Sequence, residues 1–356
     1  MVYHFGKSGY MAIQLQAAEG TVDAFDGTGP DEIGLPITSQ PDLKPIIEKE
    51  FKQYYKKLYN SVSDYTVKRL AAEGTIECPA FPGGPLEAFL YGCFGDVQST
   101  IITDTATAYE NIFVMDDILP IFSAAVGRDT LDYQSFYDLR FGSMDITMSP
   151  GDDIMLSVSA LGKGGSIAAA QDAYTPSYTT ARSFAFDDVG VSLGGSPNCD
   201  VTELSLKIDR GMKSMRTACA AAAKGDNVIY PTTIDVSGSM TLMFQDYTEY
   251  KYWLGGATVE APTFDQTVAD TKRALTITMS GEPIGDGDPA DNAAFILTMP
   301  SIVYETAEID MPFDDRMMIK FDFKALHDAT SETALAGTGT IKAQVDSDFQ
   351  AETVIV

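Results

Sequence analysis

The sequence predicts a mainly β protein built from two tandem β-sandwich or partial-barrel modules, each flanked by a short α-helix. Three observations carry this. Stretches of alternating apolar and polar residues recur along the chain, as half-buried strands require. Turn-forming Gly, Pro, Asp and Asn clusters separate them. A motif set occurs twice, about 160 residues apart. Glu73-Gly74-Thr75-Ile76-Glu77 and a short apolar stretch ending at Gly95 answer Ser237-Gly238-Ser239-Met240-Thr241 and a stretch ending at Gly255-Gly256. Asp152-Asp153-Ile154-Met155-Leu156 answers Asp314-Asp315-Arg316-Met317-Met318. The offsets, 164 and 162 residues, are nearly constant, as a tandem duplication predicts.

Residues 1–42 read as an extended arm with one strand near 11–15. Residues 45–59 are expected to form a lysine-rich amphipathic helix. Ile47, Phe51, Tyr54, Tyr55 and Leu58 recur at helical spacing, Lys52, Lys56 and Lys57 point elsewhere, and Pro45 suits a first helical position. The division is an arm and helix over 1–66, a first β domain over 67–195 and a second over 196–356.

In the first domain, Ala72, Gly74, Ile76 and Cys78 alternate with polar neighbours. A turn at residues 81–85 leads into a helix with Leu86, Phe89, Leu90 and Cys93 on one face, closed by Gly95. Residues 96–130 mix short strands and loops. Residues 136–148 and 154–161 form a hairpin across Ser149-Pro150-Gly151. Residues 162–183, rich in Gly, Ala, Ser and Thr, read as the linker.

In the second domain, residues 202–209 alternate, and 210–227 read as a loop. The alternation from Ile234 to Phe244 is the longest in the chain. Asp246-x-x-Glu249 has the form of a capping box ahead of a helix bearing Tyr250, Trp253 and Leu254. Strands follow at 275–279, 294–299, 302–309, 317–326 and 338–345, with a surface loop at 281–292.

Composition narrows the function. The chain has 356 residues and 45% apolar residues, with 19 Phe and 17 Tyr, enough for two packed cores. Its 51 acidic residues against 24 basic ones give a formal net charge of −27. Such a chain repels phosphate backbones. Seven of the basic residues lie between Lys44 and Arg69. The four cysteines, Cys78, Cys93, Cys199 and Cys219, form no C-x-x-C pair and read as free thiols in a reducing cytoplasm. No secretory signal or membrane-length apolar stretch is expected to direct the chain out of the cytosol or into a membrane.

No catalytic, cofactor-binding or metal site is expected. Nucleotide-binding and hydrolase motifs are missing. His4 and His327 stand alone. Asp286, Asp288 and Asp291 resemble a calcium loop, but Leu297 stands where the required Glu would be. The pairs Asp116-Asp117, Asp152-Asp153, Asp187-Asp188 and Asp314-Asp315 suit turns better than acid–base chemistry, because adjacent strand residues face opposite ways.

The order of strand, Gly-[ST]-[IM], short aromatic helix, Gly and later hairpin resembles the tail tube (major tail) proteins of long-tailed bacteriophages. The residues that carry it are Glu73 to Ile76 with Leu86 to Gly92, then Phe141 to Met148, and in the second copy Ser237 to Leu242 with Tyr247 to Gly256. The match covers roughly 67–161 and 200–345; residues 1–66 have no counterpart, and the 281–292 loop is absent from the first copy. The resemblance implies a structural virion protein, not an enzyme, that is assembled in the host cytoplasm. Its subunits pair sheet edges into rings, the inner sheets close into a β-barrel, and stacked rings carry viral DNA to the host. Other tail proteins are the remaining partners; no membrane is. An acidic wall would keep DNA centred by repulsion. Two copies per chain imply trimeric rings with pseudo-six-fold symmetry, with a hexamer of chains as the alternative. Another virion structural protein (a tail terminator or capsid-surface protein) and a carbohydrate-active β-sandwich enzyme remain open as functions.

Overall fold

In the computed structural model, the described residues are 9–20, 25, 32–39, 41–55, 60–102, 108–128, 133–168, 176–215, 228–255, 272–284, 291–312, 316–328 and 339–354. In chain order the strands are β1 (Gly9–Leu15), β2 (Ile33–Gly34), β3 (Lys44–Tyr55), β4 (Asn60–Pro79), β5 (Gly95–Ile101), β6 (Tyr109–Met115), β7 (Phe122–Arg128), β8 (Tyr133–Met148), β9 (Met155–Gly162) and β10 (Gly164–Ala168). They continue with β11 (Val189–Leu193), β12 (Ser196–Asn198), β13 (Val201–Asp209), β14 (Lys213–Met215), β15 (Val228–Tyr230), β16 (Asp235–Met243), β17 (Arg273–Pro283), β18 (Asn292–Asp310), β19 (Met318–Ala325) and β20 (Lys342–Ser347). The helices are α1 (Pro85–Phe94), α2 (Thr248–Leu254) and α3 (Ala351–Val354). The protein is mainly β, as its alternation predicts.

Strand pairing is antiparallel throughout and has one order in each half. The first ladder runs β3-β4-β9-β8-β7-β1-β2, with β10 on the far side of the N-terminal part of β8. The second runs β13-β16-β19-β18-β17-β11-β12, with β20 in the corresponding place. Irregularities coincide too. β8 slips against β9 between Phe141 and Ser143, and β18 slips against β19 between Tyr304 and Thr306. The first ladder adds the β5–β6 hairpin, whose β6 pairs with β20. The β14–β15 pair stands alone.

β8 and β18 are long because each pairs with one set of strands along its first half and another along its second. β8 leaves one sheet and enters the other at Asp138, a non-glycine residue at φ 55. That rare conformation is held by Gln16, which donates Nε2–H to Asp138 Oδ1 at 2.6 Å and accepts the Asp138 N–H at 2.8 Å. The sheets pack apolar faces together around α1. Phe122 of β7 stacks on Phe141 of β8 at 4.9 Å, and Phe89 of α1 meets Phe141 edge-on at 5.6 Å. One cluster of buried apolar side chains spans both ladders.

α1 begins at Pro85 and is anchored by Glu87, fully buried. Its carboxylate accepts the Gly83 and Gly84 N–H groups at 2.9 and 2.7 Å and the Ser347 hydroxyl of β20 at 2.6 Å. Every α1 residue is buried, not one face alone.

Further local expectations need correction. The strands expected at 294–299 and 302–309 are one continuous strand, β18. Residues 44–55 are strand β3, not a helix; 56–59 lie outside the described residues. The apolar spacing there fits both periods, and the ladder of β4 supplies hydrogen-bond partners that a lone helix would lack. The Asp246–Glu249 capping box does not form. Asp246 Oδ1 accepts the Thr248 N–H at 2.7 Å, while Glu249 turns away to Arg273 at 2.6 Å and the Tyr304 hydroxyl at 2.9 Å. The expected linker contains β10, which finds open edge on β8. The expected 210–227 loop starts with β14; residues 216–227 lie outside the described residues.

Candidate assembly surface

The two ladders meet where β13 pairs with the C-terminal half of β8, so eight strands run side by side as β3-β4-β9-β8-β13-β16-β19-β18. At this internal joint Lys207 lies opposite Asp145, Leu206 opposite Ile146 and Leu204 opposite Met148. The apolar pairs are buried, with Leu206 at 1% exposure and Ile146 at 0%. Opposite charges directly across a ladder favour the register.

Arg210, just past β13, locks the joint. Its N–H donates to the Gly142 carbonyl at 2.8 Å. Its side chain is 1% exposed and reaches the C-terminal end of α1. The guanidinium donates to the carbonyls of Cys93 and Phe94, both at 3.3 Å, and to that of Asp116. A cation at the end of a helix satisfies its unpaired carbonyls and its dipole. Burial pulls the guanidinium pKa down, partly countered by the nearby Cys93, Asp117 and Asp116. No motif marks Arg210 in the sequence, because its partners lie some hundred residues away.

The eight-stranded run ends in two open edges. Among the described residues no strand pairs with the outer side of β3 or with the outer side of the C-terminal half of β18. The edges carry apolar side chains in water: Ile47 is 53% exposed and Met311 70%. Met148, which holds the place of Met311 at the end of β8, is 1% exposed.

One face of the run is apolar and buried; the other is polar. Leu156, Val158 and Ala160 of β9 turn inward, while Ser157 and Ser159 turn outward, and neighbouring strands keep this alternation. The outward set carries the carboxylates of Glu73, Glu77, Asp145, Glu203, Asp209, Asp235, Glu308, Asp310 and Asp322. Against them stand Lys44, Lys207, Lys320, Lys324 and Arg140. Several lysines are matched: Lys44 faces Glu73, Lys320 faces Glu308, and Lys324 pairs with Asp235 at 2.8 Å. The hydrogen bond that Lys324 donates to the Asp235 carboxylate raises the Lys324 pKa. The face as a whole is therefore acidic. It carries two shallow grooves of about 770 and 590 Å³, centred on Gly74 and Gly238. Hydroxyl pairs span neighbouring strands, Ser143 with Ser159 and Ser205 with Ser239, both at 2.9 Å.

The residues weighed for chemistry are scattered. Cys78 and Cys93 are buried thiols pushed up to about 12 by burial, and Cys199 is exposed; all three are free. Cys219, His4, Asp286, Asp288, Asp314 and Asp315 lie outside the described residues. The pairs at 116–117, 152–153 and 187–188 sit in turns or a short 3₁₀ segment, and Asp188 is held by Arg182 at 2.9 Å. Among the described residues no cluster of His, Cys, Asp and Glu could hold a metal, and no helix is long and apolar enough to cross a membrane.

The sequence model described as phage tail tube protein matches residues 62–325. No curated protein matches the chain.

Proposed function

The chain belongs to the phage tail tube protein family and is a structural protein of the virion tail, and from this we propose that it forms closed rings stacking into a hollow conduit for viral DNA. The observation that carries the ring is the β13–β8 joint. Within one chain, an edge of one ladder already extends the sheet of the other, which is the contact a head-to-tail ring repeats.

The two ladders support a duplicated tube domain. Strand order, slips and spacing agree: Gly74 with Gly238, Ser143 with Thr306 and Lys44 with Lys207 lie 163 or 164 residues apart. β1, β2 and β3 correspond to β11, β12 and β13. Copies over about 9–168 and 189–347 therefore suit the pairing better than a separate arm over 1–66 with domains at 67–195 and 196–356.

Three chains of eight strands each would close a barrel of 24 strands. At a strand spacing of about 4.8 Å and a tilt of about 40°, the backbone-to-backbone diameter is about 48 Å. That leaves a bore wide enough for a DNA duplex after side chains are subtracted. Six chains would double the diameter. The outward polar face lines the bore in this arrangement, and its excess of carboxylates lets DNA pass without being held.

Native mass spectrometry and averaged electron images of the assembled protein test the reading. Rings of three chains, stacked end to end, are the expected result. Six full chains per ring would overturn the trimer; a protein that forms no ring at all would overturn the tube.

A further inference from the structure

Resting on the ring reading, we infer that the open edges of β3 and β18 pair between chains in the register of the internal joint, as a weakened copy of it. The register follows from matching positions. Residues of β13 correspond to β3 at an offset of 163, as do residues of β8 to β18. Lys207 opposite Asp145 becomes Lys44 opposite Glu308 of the next chain, so the opposite charges are kept. Leu206 opposite Ile146 becomes Leu43 opposite Ile309, so the apolar pair is kept. Met311 then takes the covered place of Met148, which removes its 70% exposure. Asp42 comes to face Asp310, a repulsive pair tempered by Lys44, whose ammonium donates to Asp42 at 3.0 Å.

Two substitutions weaken this copy. Asp42 turns its N–H to Thr75 of β4 at 3.3 Å. Along a strand, N–H directions alternate, so residues 43, 45 and 47 point theirs at the open edge. At 45 the residue is proline, which has no N–H, where the internal joint has Ile208. At 47 it is isoleucine, where the internal joint has Arg210. Isoleucine there cannot supply the cation that Arg210 places at the end of α1. A single chain thus holds its own halves together firmly while its contact with the next chain stays conditional, and an edge proline also discourages pairing with foreign strands.

Paired cysteines in the full chain test the register, in a background with Cys199→Ser and Cys219→Ser. Lys44→Cys with Glu308→Cys places two thiols on exposed, directly opposed positions in reach of a disulfide. Oxidation of assembled protein is expected to give covalent multimers that end at the ring size. Lys44→Cys with Asp310→Cys, slipped by two residues on the same face, is expected to give none. Rings in electron images without the first cross-link, or with the second equally strong, would overturn the register and leave the ring reading standing. A protein that stays monomeric at every concentration would overturn both. Ile47→Arg and Pro45→Ile test the weakening. Each is expected to lower the assembly threshold by about tenfold, since each restores a charge-assisted contact or a ladder hydrogen bond. Melting of the isolated chain should be unchanged. A threshold that stays or rises in both variants would overturn the graded joint.

Discussion

Gly74 and Gly238 hold matching places in the two ladders, and each lies against a carbonyl of the adjoining strand. A Cβ at Gly74 would sit 2.2 Å from the Asp42 oxygen, and one at Gly238 would sit 2.4 Å from the Ser205 oxygen. Both distances are below contact, and the obstacle is backbone, which cannot rotate aside. Gly74→Ala and Gly238→Ala should therefore each destabilise the fold by about 1–3 kcal/mol. Urea midpoints of the single chain measure this, with the slope unchanged. A loss at only one site would break the equivalence of the two ladders.

Arg210 should be among the most sensitive polar residues. Arg210→Ala takes a donor from the Cys93 and Phe94 carbonyls at the end of α1 and from the Asp116 carbonyl just past β6, and it opens a void; the loss should be about 3 kcal/mol or more. Arg210→Lys retains the charge but not the fork, and should fall in between. Equilibrium unfolding ranks the three proteins.

Glu87 gives a pH dependence with a definite sign. Burial raises its carboxyl pKa, outweighing the hydrogen bonds from Ser347, Gly83 and Gly84. The unfolded chain releases this proton near the ordinary value of about 4.3; the folded chain holds it to higher pH. Its contribution is full below the unfolded value and declines as pH rises through the folded one. Glu87→Gln cannot ionise. Stability of the wild type relative to that variant should fall with rising pH, measured by denaturant midpoints from about pH 4 to pH 8. A rise instead would mean that the hydrogen bonds outweigh desolvation.

How much of this was legible in the sequence depends on the range of the interaction. The alternation from Ile234 to Phe244 and the turns around it are local, so β16 and its neighbours are readable from the nearby residue order alone. The spacing of Ile47, Phe51 and Tyr55 is local as well, yet misleading. β3 exists because β4 returns beside it, and helical periodicity contains no information about that partner. The polar face was readable as alternation. Its continuity across eight strands was not, because it depends on β13 choosing β8, a pairing that closes a gap of some sixty residues. Arg210 belongs to the same class: one residue, no pattern, and a role set by a helix end from the other half.

The acidic face makes a claim about passage of DNA. Replacing Glu77, Glu203, Asp209 and Asp322 by lysine changes exposed or half-exposed positions and should leave the fold intact. Assembled tubes of that variant should retain duplex DNA in a manner steeply weakened by salt, while wild-type tubes should not. Co-sedimentation across a salt series measures both. Equal retention by the two proteins would remove the polar face from the bore.

Thiol labelling checks the burial pattern. Cys199 should react with a maleimide at once, whereas Cys78 and Cys93, pushed up to about 12 and enclosed, should react only as fast as the fold opens. With Cys219→Ser in place, mass spectrometry should find one rapid adduct; more than one would contradict the packing around α1.

The continuity of β8 and of β18 across two sets of partner strands has a mechanical consequence. An outward push on the eight-stranded run travels into the strands paired with the first halves of β8 and β18 along covalent backbone, through Asp138 in one half and past Met299 in the other. The two sets of strands cannot peel apart as sheets joined by loops could. A vessel wall made this way swells or shears as one body, and its weakest line is the seam between neighbouring molecules.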